Sequence, residues 1–305
     1  ERLNYIIYIW KMQVIYEKKR GKCPKFFPFF GKRRLERRRF KNFRPQAVKI
    51  RRGMLYWVSR IWRGGRSMKQ RSSARFFLII MIVFAAAGFF LRRFERAGAG
   101  AGWLIGISVA AALACLAVSV TRKPCAAFAA MFPPSKIDGA AGVAGSVLLA
   151  VGGFLMLVQS AGFARLIGGV AILAGACLAM ASLTRARGKM PKVGLYVVVV
   201  LFYVVKLFYD FRRWTVDPAV LDYCFWLFAA ICFMLATFHA AQFCFDLGRR
   251  RVLTFFALMG IYFGAVSLAD LQGGEALLCG GGTLWMLACA WQALHADEYG
   301  KDGDE

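Results

Sequence analysis

Residues 139–183 read GAAGVAGSVLLAVGGFLMLVQSAGFARLIGGVAILAGACLAMASL, and Arg165 is the one charged side chain among them. Hydrocarbon offers no hydrogen-bond partner to a backbone N–H or C=O, so only helices and closed barrels can cross it. A barrel strand would alternate polar and apolar residues over about ten positions, and this stretch does not alternate. Gly139 to Gln159 and Gly162 to Leu183 each make a helix of about 30 Å, the thickness of a bilayer core, at 1.5 Å per residue. The pair is predicted to be two transmembrane helices joined by a tight turn.

Comparable runs lie on both sides. Upstream are Phe76 to Leu91 and Ala97 to Val120; downstream are Val193 to Tyr209, Leu221 to Leu247, Val252 to Ala269 and Ala276 to Ala296. With 59% hydrophobic residues and a mean hydropathy of +0.52, the predicted class is an all-α, polytopic helical transmembrane bundle of about eight spans. The division expected is a basic extension over 1–67, the bundle over 68–296 and a polar tail over 297–305. The bundle leaves no length for a folded soluble domain, so whatever the chain does, its helices do.

The formal charge of +26 is uneven. Before Met68 there are 21 Lys and Arg against 3 Asp and Glu, leaving 21 against 13 for the remainder. Ala47 is the sole alanine before Met68, and that segment shows neither helical nor strand period. Arg63-Gly64-Gly65-Arg66-Ser67, whose purine-rich codons resemble a bacterial ribosome-binding site, immediately precedes Met68. The expectation is a natural start at Met68, the preceding residues being an open-frame extension. The competing reading is a polybasic arm for anionic lipid or nucleic acid, carried by Arg33, Arg34, Arg37, Arg38 and Arg39 with Phe26, Phe27, Phe29 and Phe30 as anchors. No specific nucleic-acid partner is expected; the partners foreseen are the lipid bilayer and a second copy or another membrane protein.

Arg92, Arg93, Glu95 and Arg96 stand where a signal peptide would need a neutral cleavage site, so the first run is read as a retained anchor. Cys125 to Met131 is too short to span and is closed by Pro133-Pro134, which places it in the interface. With the N-terminus inside, the inner loops carry Arg122, Lys123, Lys136, the Arg185 to Lys192 cluster and Arg249 to Arg251. The outer loops carry Arg92, Arg93, Arg96, Arg212 and Arg213, and both termini are then cytoplasmic.

Small residues let helices approach closely in lipid. Gly142, Gly145, Gly152, Gly153, Gly168, Gly169 and Gly175 predict tight packing in the first half, whereas Phe, Tyr and Trp crowd the second. Gly260-x-x-x-Gly264 is a close-approach motif that usually buries within one chain.

Tyr196, Tyr203, Lys206 and Asp210 recur at helical spacing and share a face, with Lys206 and Asp210 able to pair; Cys232, His239, Gln242 and Asp246 share another. Joined, these faces form a candidate intramembrane polar path of Lys206, Asp210, Asp222, His239, Gln242, Asp246 and Asp270. In the plainer reading, the acids and Lys206 snorkel or cap near helix ends and His239–Gln242 only fixes packing. Asp217 and Pro218 fit an N-cap and first turn for the sixth helix.

No catalytic, cofactor or metal site is expected. None of the nine cysteines forms C-x-x-C, and Cys115, Cys177, Cys232, Cys244, Cys279 and Cys289 lie in apolar runs as small hydrophobes. There is neither G-x-x-x-x-G-K-[ST] nor H-E-x-x-H, and Gly280-Gly281-Gly282-Thr283 is mid-span without a lysine. Tyr209-Asp210 has the form of half an intramembrane aspartyl protease pair, but Ser267-Leu268-Ala269 before Asp270 lacks the glycine pattern of the other half. Gly106-Ile107-Ser108-Val109 likewise lacks the turn of a rhomboid-type serine protease.

Asp217-Pro218 with Asp222-Tyr223, the Gly248-Arg249-Arg250-Arg251 turn, Ser267-Leu268-Ala269-Asp270 and Arg92-Arg93 resemble a group of uncharacterised bacterial multi-pass membrane proteins. The resemblance, mainly over Gly194 to Asp270, implies the same spans and a start at Met68 but lends no activity. The functional expectation is a non-enzymatic structural or interaction component of the bacterial plasma membrane. The alternative is a small-solute or ion transporter using the polar path.

Overall fold

The computed structural model describes residues 73–97, 102–214 and 220–299, with side chains described for 76–97, 102–212 and 224–296. The chain divides into two units, Glu1–Arg66 and Ser67–Glu305. The first, with the basic residues and phenylalanines singled out there, lies outside the described residues, as do Met68, Asp217 and Pro218.

The described residues of the second unit form α1 (Ser73–Arg96), α2 (Trp103–Thr121), the single-turn α3 (Phe128–Met131), α4 (Lys136–Gln159) and α5 (Phe163–Ala186). After these come α6 (Val193–Trp214), α7 (Val220–Gln242), a 3-10 turn (Phe243–Phe245), α8 (Arg250–Leu268) and α9 (Gly273–Tyr299). Eight of these helices are long and apolar enough to cross a membrane. With lengths from 19 to 27 residues they measure about 28 to 40 Å, enough to span the hydrocarbon core with or without tilt. The chain is a multi-pass membrane protein with an all-α helical bundle.

How the helices bury themselves supports this. On α1, Leu78, Met81, Ala85, Gly88 and Arg92 recur every three or four residues and face inward, while Phe76, Ile79, Val83 and Phe90 point out and are exposed. The same holds on α2, with Leu104, Ala111, Cys115 and Val118 buried and Ile105, Val109, Leu113 and Leu116 exposed. An outer surface this apolar would drive aggregation in water and is at rest in lipid.

Helices α4, α5, α6, α7, α8 and α9 pack in sequence, and α9 closes back onto α4, making a circuit in which each helix touches the next. Helices α1 and α2 lie against α8 outside the circuit. The glycines decide the closest seams. A Cβ on Gly145 would stand 2.8 Å from the carbonyl oxygen of Gly281, and one on Gly152 would stand 2.8 Å from that of Gly274, so α4 and α9 touch backbone to backbone. Gly153 and Gly168 do the same for α4 and α5. Gly260 and Gly264 serve the interior of the chain, accepting Phe233 of α7 and Thr283 of α9.

Several helix ends differ from the apolar runs. Helix α1 continues past Leu91 to Arg96 because Arg92 finds a buried carboxylate. Helix α4 begins at Lys136 because Ser135 caps it, its Oγ accepting the Asp138 N–H. Helix α6 continues past Tyr209 to Trp214, Asp210 being satisfied internally. The apolar run to Leu247 is not one helix: α7 ends at Gln242, tightens into the 3-10 turn, and Asp246 takes the left-handed conformation at φ 54°. Within the segment expected at the interface, Phe128–Met131 makes its own turn, with Phe128, Phe132 and Phe243 in ring contact.

Candidate functional site

The α6 face predicted from spacing is buried: Tyr196 is 0% exposed, Tyr203 2%, Lys206 1% and Asp210 1%. Lys206 Nζ donates to Asp210 Oδ1 at 2.6 Å, one helical turn on, and to Glu275 Oε1 in the first turn of α9 at 3.4 Å. The second Asp210 oxygen accepts the Trp226 Nε1–H of α7 at 2.7 Å. Lys206 also lies 5.5 Å from the Trp226 ring centre and 5.7 Å from that of Tyr209. Lys206 and Asp210 therefore do not snorkel to the surface, which was one of the two outcomes, with capping, that the plainer reading allowed them. A salt bridge, an indole donor and a second carboxylate satisfy the ammonium and Asp210 where they stand.

Asp270, just beyond α8, binds Arg92 Nε at 2.9 Å and Arg96 Nε at 2.8 Å. Arg92 also reaches Glu95 at 3.3 Å and stacks over Phe225 at 5.5 Å. This pair joins α1 to the end of α8, close in sequence to Glu275, so both charge groups belong to the same end of the bundle. Asp270→Asn is expected to lower the unfolding midpoint in detergent by the equivalent of about 1–3 kcal/mol, a buried guanidinium losing one of its carboxylate partners. Chemical denaturation of the purified variant measures it, and an unchanged midpoint would mean that the pair contributes nothing.

The remaining candidates do not join these groups. His239 and Gln242 bond to each other, Nδ1 to Oε1 at 3.0 Å, and the His239 ring stacks on Phe256 at the half-exposed flank of α7 and α8. Asp246 is exposed, its Oδ1 accepting the Phe128 N–H at 3.1 Å and so capping α3. Asp222 falls within α7, but its side chain lies outside the described ones. Lys206 and Asp210 thus come together, Asp270 stands in a second group, and His239, Gln242 and Asp246 occupy the opposite end.

That opposite end holds the arginines assigned together to the inner loops, none of which was counted in the polar path. Arg185, 4% exposed, donates from Nη1 to Cys289 Sγ at 3.5 Å and lies over Phe132 at 5.0 Å and Trp285 at 5.3 Å. Arg250 Nε donates to the Ala293 carbonyl at 2.8 Å and Arg122 Nη1 to that of Leu294 at 3.3 Å. Arg251 Nε bonds the Arg122 carbonyl at 2.8 Å, tying the ends of α2 and α8 together. The arginines converge on the last turns of α9, where helix carbonyls present the negative end of the dipole. Trp226, Glu275 and Arg92 likewise stood outside the polar path read from spacing: Arg92 and Asp270 are 178 residues apart, beyond any local pattern.

Among the described residues, no group of three His, Cys, Asp or Glu is placed to hold a metal ion, and the eight described cysteines are free thiols. Compared with known proteins, the chain matches no family model, and neither a curated protein nor a solved structure is similar to it.

Proposed function

We propose that this chain is a non-enzymatic structural or interaction component of the bacterial plasma membrane, with both termini on the cytoplasmic side. The observation that supports it is the closed Lys206–Asp210–Trp226–Glu275 group on a circuit whose interior is filled by aromatic rings. Phe233 and Tyr203 are in ring contact at 5.7 Å, both meet α9 at Gly282, and Trp285 Nε1 bonds Ser182 Oγ at 3.3 Å. A solute would need these rings and that salt bridge to part.

The charge distribution favours the orientation. At the Arg185 end, Lys123, Lys136, Arg187, Lys189, Lys192 and Arg249 are exposed. At the other end, Arg93, Arg96, Arg165 and Arg212 are exposed, so among the described residues the exposed Lys and Arg favour the Arg185 end, the bias expected of a cytoplasmic side.

A carrier is the second reading, favoured by one feature. The Glu275 side chain is 32% exposed while its partner Lys206 is buried, which gives the group a protonatable member within reach of solvent. Single cysteines placed at positions 196, 199 and 203 of a cysteine-free background separate the two. Proteoliposomes carrying them are expected to leave all three unreactive toward a membrane-impermeant thiol reagent. Labelling at two or more would replace the structural reading with the carrier.

A further inference from the structure

At the Arg185 end a cavity of about 530 Å³ opens between α1, the segment linking α3 to α4, α4 and α9. We infer that this cavity is a binding site for a lipid with a primary-ammonium head, held by Asp138, Gln292 and His295. The inference goes beyond the structural reading and holds equally if the protein is a carrier.

The argument starts from hydrogen bonds left unmade. Gln292 is 6% exposed and His295 7% exposed, yet Gln292 Oε1 and His295 Nε2 have no hydrogen-bond partner, and both residues line the cavity. Unmet polar atoms at this depth are costly and point to a missing partner. Their chemistry fixes what that partner must supply. His295 Nδ1 lies 2.9 Å from the Trp291 carbonyl, which can only accept, so Nδ1 carries a proton, and the imidazole tautomer with that proton presents a lone pair at Nε2. The Gln292 Oε1 also accepts.

A third acceptor lines the same cavity. The Asp138 carboxylate makes no hydrogen bond or ion pair among the described residues, its backbone N–H being the group that Ser135 caps. One anionic and two neutral acceptors call for a cation with several N–H donors, and a primary ammonium carries three. Trp291, stacked on His295 at 4.1 Å between ring centres, adds an aromatic wall suited to a cation.

The rest of the cavity identifies the carrier of that ammonium as a lipid. Leu78, Ala141 and Leu287 form an apolar wall, and Ile137, which also lines the cavity, leaves 82% of its surface exposed. A polar head placed against Asp138 would leave its chains running over that wall into the bilayer. The volume lies within the range of small-molecule sites, about 300–1,000 Å³, enough for a headgroup and the first carbons of a chain.

Native mass spectrometry of the detergent-purified full chain tests this, with phosphatidylethanolamine, phosphatidylcholine and phosphatidylglycerol supplied separately at equal concentration. One phosphatidylethanolamine adduct is expected to persist at collision energies that strip the other two, since trimethylation removes every N–H donor and the glycerol head has no charge for Asp138. Asp138→Asn is expected to weaken that adduct about tenfold, the loss of one charge-assisted contact. Ala141→Trp, which fills the cavity while leaving all three acceptors in place, should abolish it. Equal retention of the three lipids by the wild-type chain overturns the inference without recourse to any variant, as does preferred retention of phosphatidylglycerol. An adduct unchanged in both variants overturns it as well.

Discussion

Lys206→Met is expected to be the most destabilising single substitution in the charge groups, lowering the stability of the bundle by about 3–5 kcal/mol. Methionine keeps the length and much of the volume of lysine, so packing is nearly conserved and the missing ammonium is the variable. Asp210, 1% exposed, would retain only the Trp226 N–H, and Glu275 would lose its cation. Equilibrium unfolding in mixed micelles is the measurement. The double variant Lys206→Met with Asp210→Asn should recover most of the loss, because no uncompensated buried charge then remains and Asn still accepts from the indole. If Lys206→Met melts within about 0.5 kcal/mol of wild type, the pair is not a closed buried group and the dry reading of the interior goes with it.

The other large effect is steric. A Cβ added at Gly281 would stand 2.5 Å from Leu149 N and 2.6 Å from Gly145 O, backbone atoms that cannot rotate away. Gly281→Leu therefore has to separate α4 from α9 along the seam, at a cost near the upper end of overpacking penalties, about 3 kcal/mol. Gly169→Ala, on α5 of the glycine-rich first half, is the control. Its Cβ would meet only the Leu157 Cδ1, at 3.5 Å, so removing a helical glycine should be neutral or stabilise by up to about 1 kcal/mol. Thermal unfolding of both variants in the same detergent reads the contrast, and equal midpoints would mean that the seam is not close-packed.

These two sites show how far local sequence carries. The α6 face of Tyr196, Tyr203, Lys206 and Asp210 was legible because helical spacing alone puts those residues on one stripe, and the Lys206–Asp210 bond is a contact within one turn. What lies opposite was not legible. Placing His239, Gln242 and Asp246 on the same path assumed that the polar faces of α6 and α7 meet. The interior instead sets α6 against Trp226, Glu275 and Gly282, leaving His239 to stack on Phe256. Rotation of a helix about its own axis is fixed by the neighbours it packs on, and no period in its own sequence reports it.

The glycines divide in the same way. Their density foretold close helix contacts, and Gly169 sits in the same run as Gly168 and Gly175, yet only those two meet backbone across a seam. The acceptors Asp138, Gln292 and His295 come from helices far apart in the chain, and their shared cavity exists only once α9 has closed onto α4.

By itself the sequence determined that these residues cross a bilayer as about eight helices, because peptide groups in hydrocarbon must bond within their own segment and only long apolar runs tolerate that solvent. Tertiary structure alone decided what each buried charge meets. Arg92 with Asp270, Lys206 with Glu275 and Arg185 with Cys289 are each set by the order in which helices surround one another. Lipid is almost indifferent to that order, and it is chosen by backbone fit at glycine seams and by the cost of leaving a buried ion alone.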